Sequence, residues 1–409
     1  MNDFKIGARN LARNARRSAV TIMAIAVGFA AVLLFAGYTH DVYAGLMRQA
    51  IHGELLGHLT VTKRGLETAG RIHPAKYLFS ASDLERARRI VEATPHVTRV
   101  APRLLVYGLA SNGRASTIFL GEGIDPKDMQ VLRGPRLADA SGALDAARPT
   151  GVTLSQGLAE ILHLKAGDGA AMLVSTLAGQ ANALDVDVID TFSTGNAATN
   201  DKFAFVPLGL AQSLYDAEGY ADRITIVLDD LGRIGEVRAA VAARLAQAGF
   251  DVTIRDWQDL SVFYRQVRGM FDMIFAFIFA IVFIVVVMSI ANAMSMSVVE
   301  RTREIGTLRA IGLRRAGVVR LFAAESLLLA LAGCLGGLLL TVALRTGINA
   351  ADINYVPPNS TDPVPLTVGF EAARALQITL LMCALGVAAA LLPARRAARQ
   401  PIIDSLGHV

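Results

Sequence analysis

The sequence predicts an α-helical membrane protein with four transmembrane helices and a large α+β extracytoplasmic domain between the first two of them. Three observations support this fold class. Hydrophobic residues make up 53% of the 409 residues, which is too few for a chain made wholly of spanning helices and too many for an ordinary soluble one. Only 18% are charged, against about 25% in typical soluble proteins. The apolar excess lies in four runs that are almost free of charge.

Each of the four apolar runs is long enough to cross a bilayer as a helix. A helix rises 1.5 Å per residue, so about 20 residues cross a hydrocarbon core of about 30 Å. Four runs of this length favour spans over buried core helices. The first run ends without a small-residue cleavage site, so we expect an uncleaved signal anchor. The predicted spans are residues 19–38, 270–296, 318–345 and 372–393.

Charge placement determines the predicted topology. Arginine and lysine are concentrated in residues 1–18, 297–317 and 394–409, whereas the loop 346–371 contains neither. Positively charged segments next to spans stay on the cytoplasmic side of a membrane. We therefore expect the bacterial inner membrane, with both termini in the cytoplasm and residues 39–269 in the periplasm.

The predicted extracytoplasmic domain alternates helix and strand signals. Ser82 and Glu85 have the spacing of a capping box at the start of an amphipathic helix. Residues 106–124 read as two strands that turn at Asn112, where an Asn-Gly pair is a strong hairpin signal. Residues 223–254 read as a strand, a helix and a strand, a β–α–β unit of the kind found in small split α+β domains.

The middle of this domain, from about residue 126 to residue 200, has a different composition. It is rich in alanine, glycine and threonine, with a strand signal at residues 184–192. We interpret it as a subdomain inserted between two halves of an α+β core.

Motifs for catalysis and nucleotide binding are missing from these 409 residues. None of the six lysines follows a glycine, so the phosphate-binding loop G-x-x-x-x-G-K-[ST] is absent. His52, Glu54 and His58 lack the H-E-x-x-H spacing of a zinc site, and we interpret the histidines as satisfied or solvated. We expect no catalytic, cofactor-binding or metal-binding residues on this chain. No nucleic-acid partner is expected, because the basic residues flank the spans.

The best candidate site follows the second span. It has helical propensity, with an apolar stripe of Ile305, Leu308 and Ile311 among charged residues. Two interpretations stay open: a basic interfacial helix on membrane lipids, or a helix that docks into a groove of a cytoplasmic partner. The candidate residues are Glu300, Arg301, Arg303, Glu304, Ile305, Gly306, Leu308, Arg309, Ile311 and Gly312.

Small residues within two spans indicate close helix–helix contact. Ala24 and Gly28 lie four apart in the first span, and Gly333 and Gly337 lie four apart in the third. Four spans are few for enclosing a pathway, so self-association of the chain is expected.

One acidic residue lies inside a predicted span. Glu325 is about one turn into the third span, where an ionisable side chain is unfavourable unless it is paired. We favour pairing with a nearby cation such as Arg320 over a role in proton relay.

Three stretches of the sequence resemble the FtsX-like/MacB-like permease family. They are residues 300–315 (ERTREIGTLRAIGLRR), the tail 393–406 (PARRAARQPIIDSL) and the start 8–17. The order of one span, a large outer domain and three further spans is also similar, so the resemblance covers essentially the whole chain. Within the family, the outer domain is most similar to lipoprotein-releasing (Lol) permeases and to MacB. Short sequence motifs such as residues 123–126 (GIDP) carry this similarity.

The resemblance implies a type VII ABC permease that works as a dimer, with a second copy or a paralogue, and with two copies of a separate ATPase subunit. That subunit would bind ATP and Mg²⁺, and residues 301–315 would form the coupling helix. The outer core would be a porter-like domain, and the inserted subdomain would contact a periplasmic carrier or adaptor.

The resemblance also implies how such a complex works. ATP-driven closure would move the outer domains, a process called mechanotransmission, and would extract or export a hydrophobic cargo such as a lipoprotein, lipid, peptide or drug. The alternative is an FtsX-type mechanical regulator that activates a periplasmic enzyme or signalling partner.

Overall fold

The computed structural model describes residues 7, 9–11, 13, 15–70, 73–134, 141–356 and 363–402. Parts of four predicted segments therefore lie outside the described residues, namely parts of 1–18, 126–200, 346–371 and 394–409. The chain divides into two compact units. The helical unit comprises residues up to 43, 267–354 and from 365 onward, and the outer unit comprises residues 44–266 and 355–364.

Helices and strands alternate through the outer unit, and long helices dominate the helical unit. The helices are α1 (Ala15–Arg48), α2 (Leu66–Ala69), α3 (Pro74–Tyr77), α4 (Ala81–Glu92), α5 (Pro126–Arg133), α6 (Gln156–Ile161), α7 (Leu208–Tyr215), α8 (Ile234–Gln247), α9 (Trp257–Leu260), α10 (Val262–Glu300), α11 (Thr302–Ala310), α12 (Arg315–Ala350) and α13 (Ala372–Arg399). The strands are β1 (Leu59–Lys63), β2 (Val97–Ser111), β3 (Ser116–Ile124), β4 (Gly151–Ser155), β5 (Gly169–Ser175), β6 (Ala181–Phe192), β7 (Phe203–Pro207), β8 (Arg223–Leu228), β9 (Val252–Asp256), β10 (Asn354–Tyr355) and β11 (Val364–Pro365).

Among the described residues, four helices, α1, α10, α12 and α13, are long and apolar enough to cross a membrane. They are longer than the predicted spans, since helical hydrogen bonding continues into the polar flanks of each apolar run. In the helical unit they pack around a shared apolar core to which each contributes buried side chains, among them Ile25, Val286, Phe322 and Met382. The predicted four transmembrane helices, with a large domain between the first and the second, are confirmed.

One part of the outer unit is a split β–α–β sheet. β8, α8 and β9 form the predicted β–α–β unit, and β1 lies between β8 and β9, antiparallel to both. β2 pairs with the other side of β8. The apolar faces of α4 and α8 contribute Val91, Val241 and Leu245 to a core shared with Ile224 of β8. The prediction for residues 223–254 is confirmed.

The other part of the outer unit is a closed six-stranded barrel. The strands pair in the order β2–β3–β7–β4–β6–β5, and β5 pairs with β2 to complete the ring. A closed ring leaves no unpaired strand edge. The 15-residue strand β2 belongs to both parts, because residues 97–103 pair with β8 and residues 108–111 pair with β5. β4, β5 and β6 come from the predicted inserted segment 126–200, whose boundaries stay a prediction.

Local polar groups determine the turn between β2 and β3. Asn112 Oδ1 accepts hydrogen bonds from the backbone N–H groups of Arg114 and Ala115, at 2.8 and 2.7 Å. Gly113 has φ +82°, a conformation that glycine adopts without strain. The predicted hairpin at Asn112 is confirmed.

The N-terminal cap of α4 differs from the prediction. The capping residue is Ser80, whose Oγ accepts a hydrogen bond from the backbone N–H of Asp83 at 3.3 Å. The prediction of Ser82 and Glu85 as a capping box is wrong by two residues. Ser80 and Asp83 have the same three-residue spacing, so the helix starts at the earlier of two similar signals.

Candidate functional site

The candidate site, residues 300–312, contains a short helix between two spans; we call it the 300–312 segment. α10 ends at Glu300, and Arg301 leaves helical geometry with φ −115° and ψ 17° before α11 begins. After α11, Gly312 has φ +110°, which strains any residue with a side chain. The segment is therefore a separate helix with a break in helical geometry on each side.

Burial divides the segment into an inner and an outer face. Ile305 is 3% exposed and packs in the apolar core of the helical unit, and Gly306 beside it is also buried. Leu308 and Ile311 are 41% and 80% exposed, and Arg303 is also exposed. The predicted apolar stripe is thus divided. Ile305 anchors the helix to its own chain, and Leu308 and Ile311 lie open for contact with another molecule.

Ion pairs connect the segment to the first helix. Both guanidinium Nη atoms of Arg17 donate to the Glu300 carboxylate, at 2.8 and 2.9 Å. Arg13 Nη1 lies 3.3 Å from Glu304 Oε1. The sequence interpretation assigned the basic N-terminal residues to topology alone and missed this role. The available signal was the presence of two glutamates, Glu300 and Glu304, in a segment that is otherwise basic.

Arg301 connects the segment to the third span. Its Nε lies 3.0 Å from Glu304 Oε2, and its Nη1 lies 3.2 Å from Glu325 Oε2. The Ser297 hydroxyl also donates to the Glu325 carboxylate at 3.5 Å. The expectation that Arg320 pairs with Glu325 is wrong, because residues five apart on a helix point in different directions, unlike residues three or four apart.

A further contact connects the segment to the end of α13. The Arg309 guanidinium donates a hydrogen bond to the backbone carbonyl of Gln400. Together with the chain connection to α10, the 300–312 segment therefore contacts the end regions of all four spanning helices.

The predicted packing residues lie at close contacts between spans of the same chain. A Cβ atom added to Gly337 would lie 2.7 Å from the backbone oxygen of Ala26, and Gly333 lies against Ile25. A Cβ atom added to Gly28 would lie 2.9 Å from Val282 Cγ1 in α10. Only glycine allows these approaches. Ala24, one turn before Gly28, is half-buried. Self-association through these residues stays a prediction.

The histidines that follow α1 have hydrogen-bond partners in the outer unit. His52 Nδ1 lies 2.8 Å from the carbonyl oxygen of Leu132, and His58 Nδ1 accepts a hydrogen bond from the Leu228 N–H at 2.8 Å. Burial, with a smaller contribution from His52, lowers the pKa of His58 from 6.5 to about 4. The interpretation that these histidines have hydrogen-bond partners is confirmed. Within the described part of the chain, no group of three or more His, Cys, Asp or Glu side chains could hold a metal ion.

Two family models match the chain in the order of these parts. The MacB-like periplasmic core domain matches residues 18–244, and the FtsX-like permease C-terminal domain matches residues 276–402. The first match covers the first span and most of the outer unit, and the second covers most of the other spans with the 300–312 segment. The chain therefore belongs to the FtsX-like/MacB-like family of type VII ABC permeases, as the sequence resemblance predicted.

Several proteins with related sequences have names that describe export. The macrolide export ATP-binding/permease protein MacB of Hyphomonas neptunium is 32% identical over 208 residues, which are 50% of this chain and 30% of the relative. MacB of Chromobacterium violaceum is 25% identical over 419 residues, 99% of this chain and 60% of the relative. The pyoverdine export ATP-binding/permease protein PvdT of Pseudomonas putida is 27% identical over 192 residues, 45% of this chain and 27% of the relative. The matched region thus spans between 27% and 60% of the length of these relatives.

Two solved structures of outer regions each cover about half of the chain. The extracellular domain of the noncanonic ABC-type transporter YknZ from Gram-positive bacteria has a TM-score of 0.34 and 13% identity, covering 49% of this chain and 100% of that one. The periplasmic region of MacB from Actinobacillus actinomycetemcomitans has a TM-score of 0.36 and 13% identity, covering 50% and 90%.

Proposed function

We propose that this chain is the permease of an ATP-driven transporter and that ATPase subunits dock on the 300–312 segment. ATP hydrolysis moves the segment and the spans attached to it, and through them the outer unit, the process called mechanotransmission. One observation carries this proposal. A short helix with an exposed apolar outer face is connected to the end regions of four spanning helices.

The same geometry favours docking of the 300–312 segment to a protein over binding of the segment to the lipid surface. A helix in the membrane interface needs a broad apolar face toward the acyl chains. Here Ile305 faces the core of its own unit, and only Leu308 and Ile311 of the apolar stripe face outward, beside the exposed Arg303. A small apolar patch with charged neighbours has the size and chemistry of a docking contact in a protein groove.

We infer that the cargo is a hydrophobic or amphipathic molecule taken from the periplasm or the outer leaflet of the inner membrane. The names of related proteins refer to macrolide and pyoverdine export, which supports a drug-like or peptide cargo over a lipoprotein. In this proposal ATP and Mg²⁺ bind to the ATPase subunits, two for each complex. The 409 residues contain no phosphate-binding loop.

The proposal includes an orientation and an assembly. The basic residues 1–18, 297–317 and 394–409 lie in the cytoplasm, and the outer unit lies in the periplasm. A second copy of the chain or a paralogue completes the permease. A periplasmic carrier or adaptor contacts the outer unit.

The test is the double substitution Leu308→Asp with Ile311→Asp in the full chain, reconstituted in nanodiscs with its ATPase subunit. The substitutions leave Ile305 and the ion pairs in place, so the packing of the spans is preserved. Two charges in a desolvated contact weaken it strongly, and we expect ATPase binding and permease-stimulated ATP hydrolysis to fall by at least about tenfold.

Ile353→Asp is the matched control. Ile353 is another exposed apolar side chain of the helical unit, in the loop that follows α12, and its substitution should leave stimulation unchanged. Full stimulation in the double variant would show that the ATPase docks elsewhere. An export assay with macrolides and short peptides then separates a transporter from an FtsX-type regulator, which would stimulate ATP hydrolysis without moving either cargo.

A further inference from the structure

The chain between α1 and β1, residues 49–58, has an unusual backbone; we call it the connector. A single turn of π-helix, Gln49–Gly53, follows α1 directly. Leu55 then adopts a left-handed conformation with φ +55°, and Gly57 does so with φ +63°. A left-handed leucine is sterically unfavourable and persists only where its surroundings hold it.

Both ends of the connector are hydrogen-bonded within the outer unit, to strand β8 and helix α9 at one end and to helix α5 at the other. The His58 N–H donates to the Ile226 carbonyl at 2.9 Å, and the Trp257 N–H donates to the His58 carbonyl at 3.3 Å. His52 contacts the Leu132 carbonyl through its ring, as described above. The middle of the connector, at Leu55, is fully buried, where an unpaired carbonyl would be unfavourable.

Arg103 of β2 supplies the partner for Leu55. Its Nη1 donates a hydrogen bond to the Leu55 carbonyl oxygen, and its Nε lies 2.7 Å from Glu122 Oε1. The Arg103 side chain is 2% exposed and that of Glu122 is 4% exposed. One guanidinium therefore joins the connector to two strands of the sheet, β2 and β3.

The chemistry of arginine suits this double role. A guanidinium presents five N–H donors in a rigid plane, so Nη1 can donate to the carbonyl while the same cation lies against the carboxylate as an ion pair. A lysine ammonium is a compact charge at the end of a flexible stem and does not hold two partners in fixed directions. Glu122 is also 3.7 Å from Arg223, which pairs with Asp222 at 2.8 Å. The carboxylate thus keeps a second cation beside it.

We propose that Arg103 is a positioning residue that fastens the connector to β2, so that displacement of α1 moves the split sheet and the barrel together. β2 pairs with β8 in one part and with β5 in the other, so a pull on β2 acts on both. This inference rests on the proposed function, since it names the residue through which motion of the first span enters the outer unit.

The first experiment is amide hydrogen exchange on the full chain in nanodiscs, comparing the native protein with Arg103→Lys. The lysine keeps the charge beside Glu122 but loses the directed contact with Leu55. We expect exchange of the Gly57 and His58 amides to become about tenfold faster, because local opening then breaks one fewer hydrogen bond to a charged group. Exchange in β8 and β9 should not change.

Arg223→Lys is the matched control, because Arg223 belongs to the same ion cluster and has no contact with the connector among the hydrogen bonds described. Equal exchange of the connector in Arg103→Lys and in the native protein would overturn the fastening. If Arg103→Lys does not fold, the pair Arg103→Met with Glu122→Gln removes both charges together and should show the same faster exchange.

The second measurement separates this inference from the proposed function. With the ATPase subunit present, ATP should alter exchange in the outer unit of the native protein, and Arg103→Lys should reduce that change at least about fivefold while ATPase binding stays native. No ATP-dependent change in the native protein would contradict the proposed function and leave the fastening to be judged by the first experiment. If the connector exchanges faster in Arg103→Lys but the ATP-dependent change in the outer unit stays as large as in the native protein, Arg103 does not transmit the motion.

Discussion

The outer unit and the helical unit both contain networks of arginine and carboxylate groups, and the two networks differ in burial. In the outer unit, Arg103 and Glu122 are almost completely removed from solvent. At the 300–312 segment, Arg301 and Glu325 are also largely buried, with side chains 12% and 5% exposed. The pair of Arg13 and Glu304 there has side chains that are 79% and 48% exposed. The same chemical groups therefore act in two different dielectric environments.

This difference in burial decides what each network can do. An exposed ion pair contributes about 0–1 kcal/mol, since water and salt screen it. Breaking a buried pair costs about 3–5 kcal/mol, because the remaining charge is left without solvent or partner. The buried cluster therefore holds one geometry, whereas the exposed pairs can exchange partners at little cost. Such exchange suits the docking and movement that we propose for the 300–312 segment.

Arg103→Met gives the largest expected effect on stability and tests the buried side of the comparison directly. It removes the main partner of Glu122 and the donor to the Leu55 carbonyl, so we expect the outer unit to lose about 3 kcal/mol. Arg223 still lies near Glu122, which places the loss at the lower end of the usual range. Chemical denaturation of the full chain in detergent, followed by tryptophan fluorescence, measures it.

The companion variant Arg103→Met with Glu122→Gln removes the unpaired charge as well. It should recover at least half of the lost free energy of unfolding, because a neutral amide is less unfavourable in a buried site than a carboxylate. If both variants unfold at the same denaturant concentration as the native protein, the cluster does not determine the stability of this unit.

A second prediction concerns pH, through the buried imidazole of His58. Its pKa is about 4 in the folded chain and 6.5 as the ordinary value. The unfolded chain therefore binds a proton between these values that the folded chain does not bind, and stability falls as the pH falls from 6.5 toward 4. The loss reaches about 3 kcal/mol at the lower end of this range, since one pKa unit corresponds to about 1.4 kcal/mol.

The variant His58→Asn isolates this contribution. The asparagine side-chain oxygen can accept a hydrogen bond from the Leu228 N–H, but the amide binds no proton between pH 6.5 and 4. The thermal midpoint of the native chain should fall more steeply than that of the variant between pH 6.5 and 4. Burial raises the pKa of Glu54, so protonation of Glu54 stabilises the folded chain as the pH falls. This contribution is the same in both proteins and cancels in the comparison. Parallel curves would contradict the assignment to His58.

A third prediction tests the close packing of the spans in the helical unit. Gly337→Ala places a Cβ atom 2.7 Å from the backbone oxygen of Ala26, and overpacking of this kind destabilises by about 1–3 kcal/mol. Gly336→Ala is its control, since that Cβ meets only the Ala26 side chain at 3.5 Å. Both changes alter helix propensity equally, so the difference in thermal midpoint in detergent measures the contact alone. Equal midpoints would show that the two helices move apart without penalty.

The smallest expected effect belongs to the exposed pair. Arg13→Gln removes the ion pair with Glu304, and we expect a change of no more than about 0.5 kcal/mol in the free energy of unfolding. The effect should disappear at high salt. Denaturation at low and high salt measures it, and a loss as large as that of Arg103→Met would remove the distinction between the two networks.

Features that depend on neighbouring residues in the chain were predictable from the sequence. The length of each apolar run indicates a span, the Asn-Gly pair at residue 112 indicates a hairpin, and the spacing of Val237, Val241 and Leu245 indicates the buried face of α8. The cap of α4 was predicted two residues late, because Ser80 and Ser82 offer similar hydrogen-bonding groups and only the folded backbone selects one.

The candidate site was predictable in position and not in its contacts. Its ten residues form one segment, yet their partners are far away in the chain. Arg17 and Glu300, for example, are 283 positions apart. A one-dimensional pattern carries no signal for which of several arginines reaches Glu325. The nearest along the chain, Arg320, was expected, and Arg301 is the one in contact.

The sequence by itself determined the four spans, the large domain between the first two, and the family. These follow from the length of apolar runs and from motifs that are continuous in the chain. Only the tertiary structure decided that Ile305 faces inward while Ile311 faces outward, that β5 closes a barrel on β2, and that Arg103 holds the Leu55 carbonyl. Those outcomes depend on which distant groups meet in a space from which water is excluded, and there the cost of an unpaired charge or carbonyl selects one arrangement.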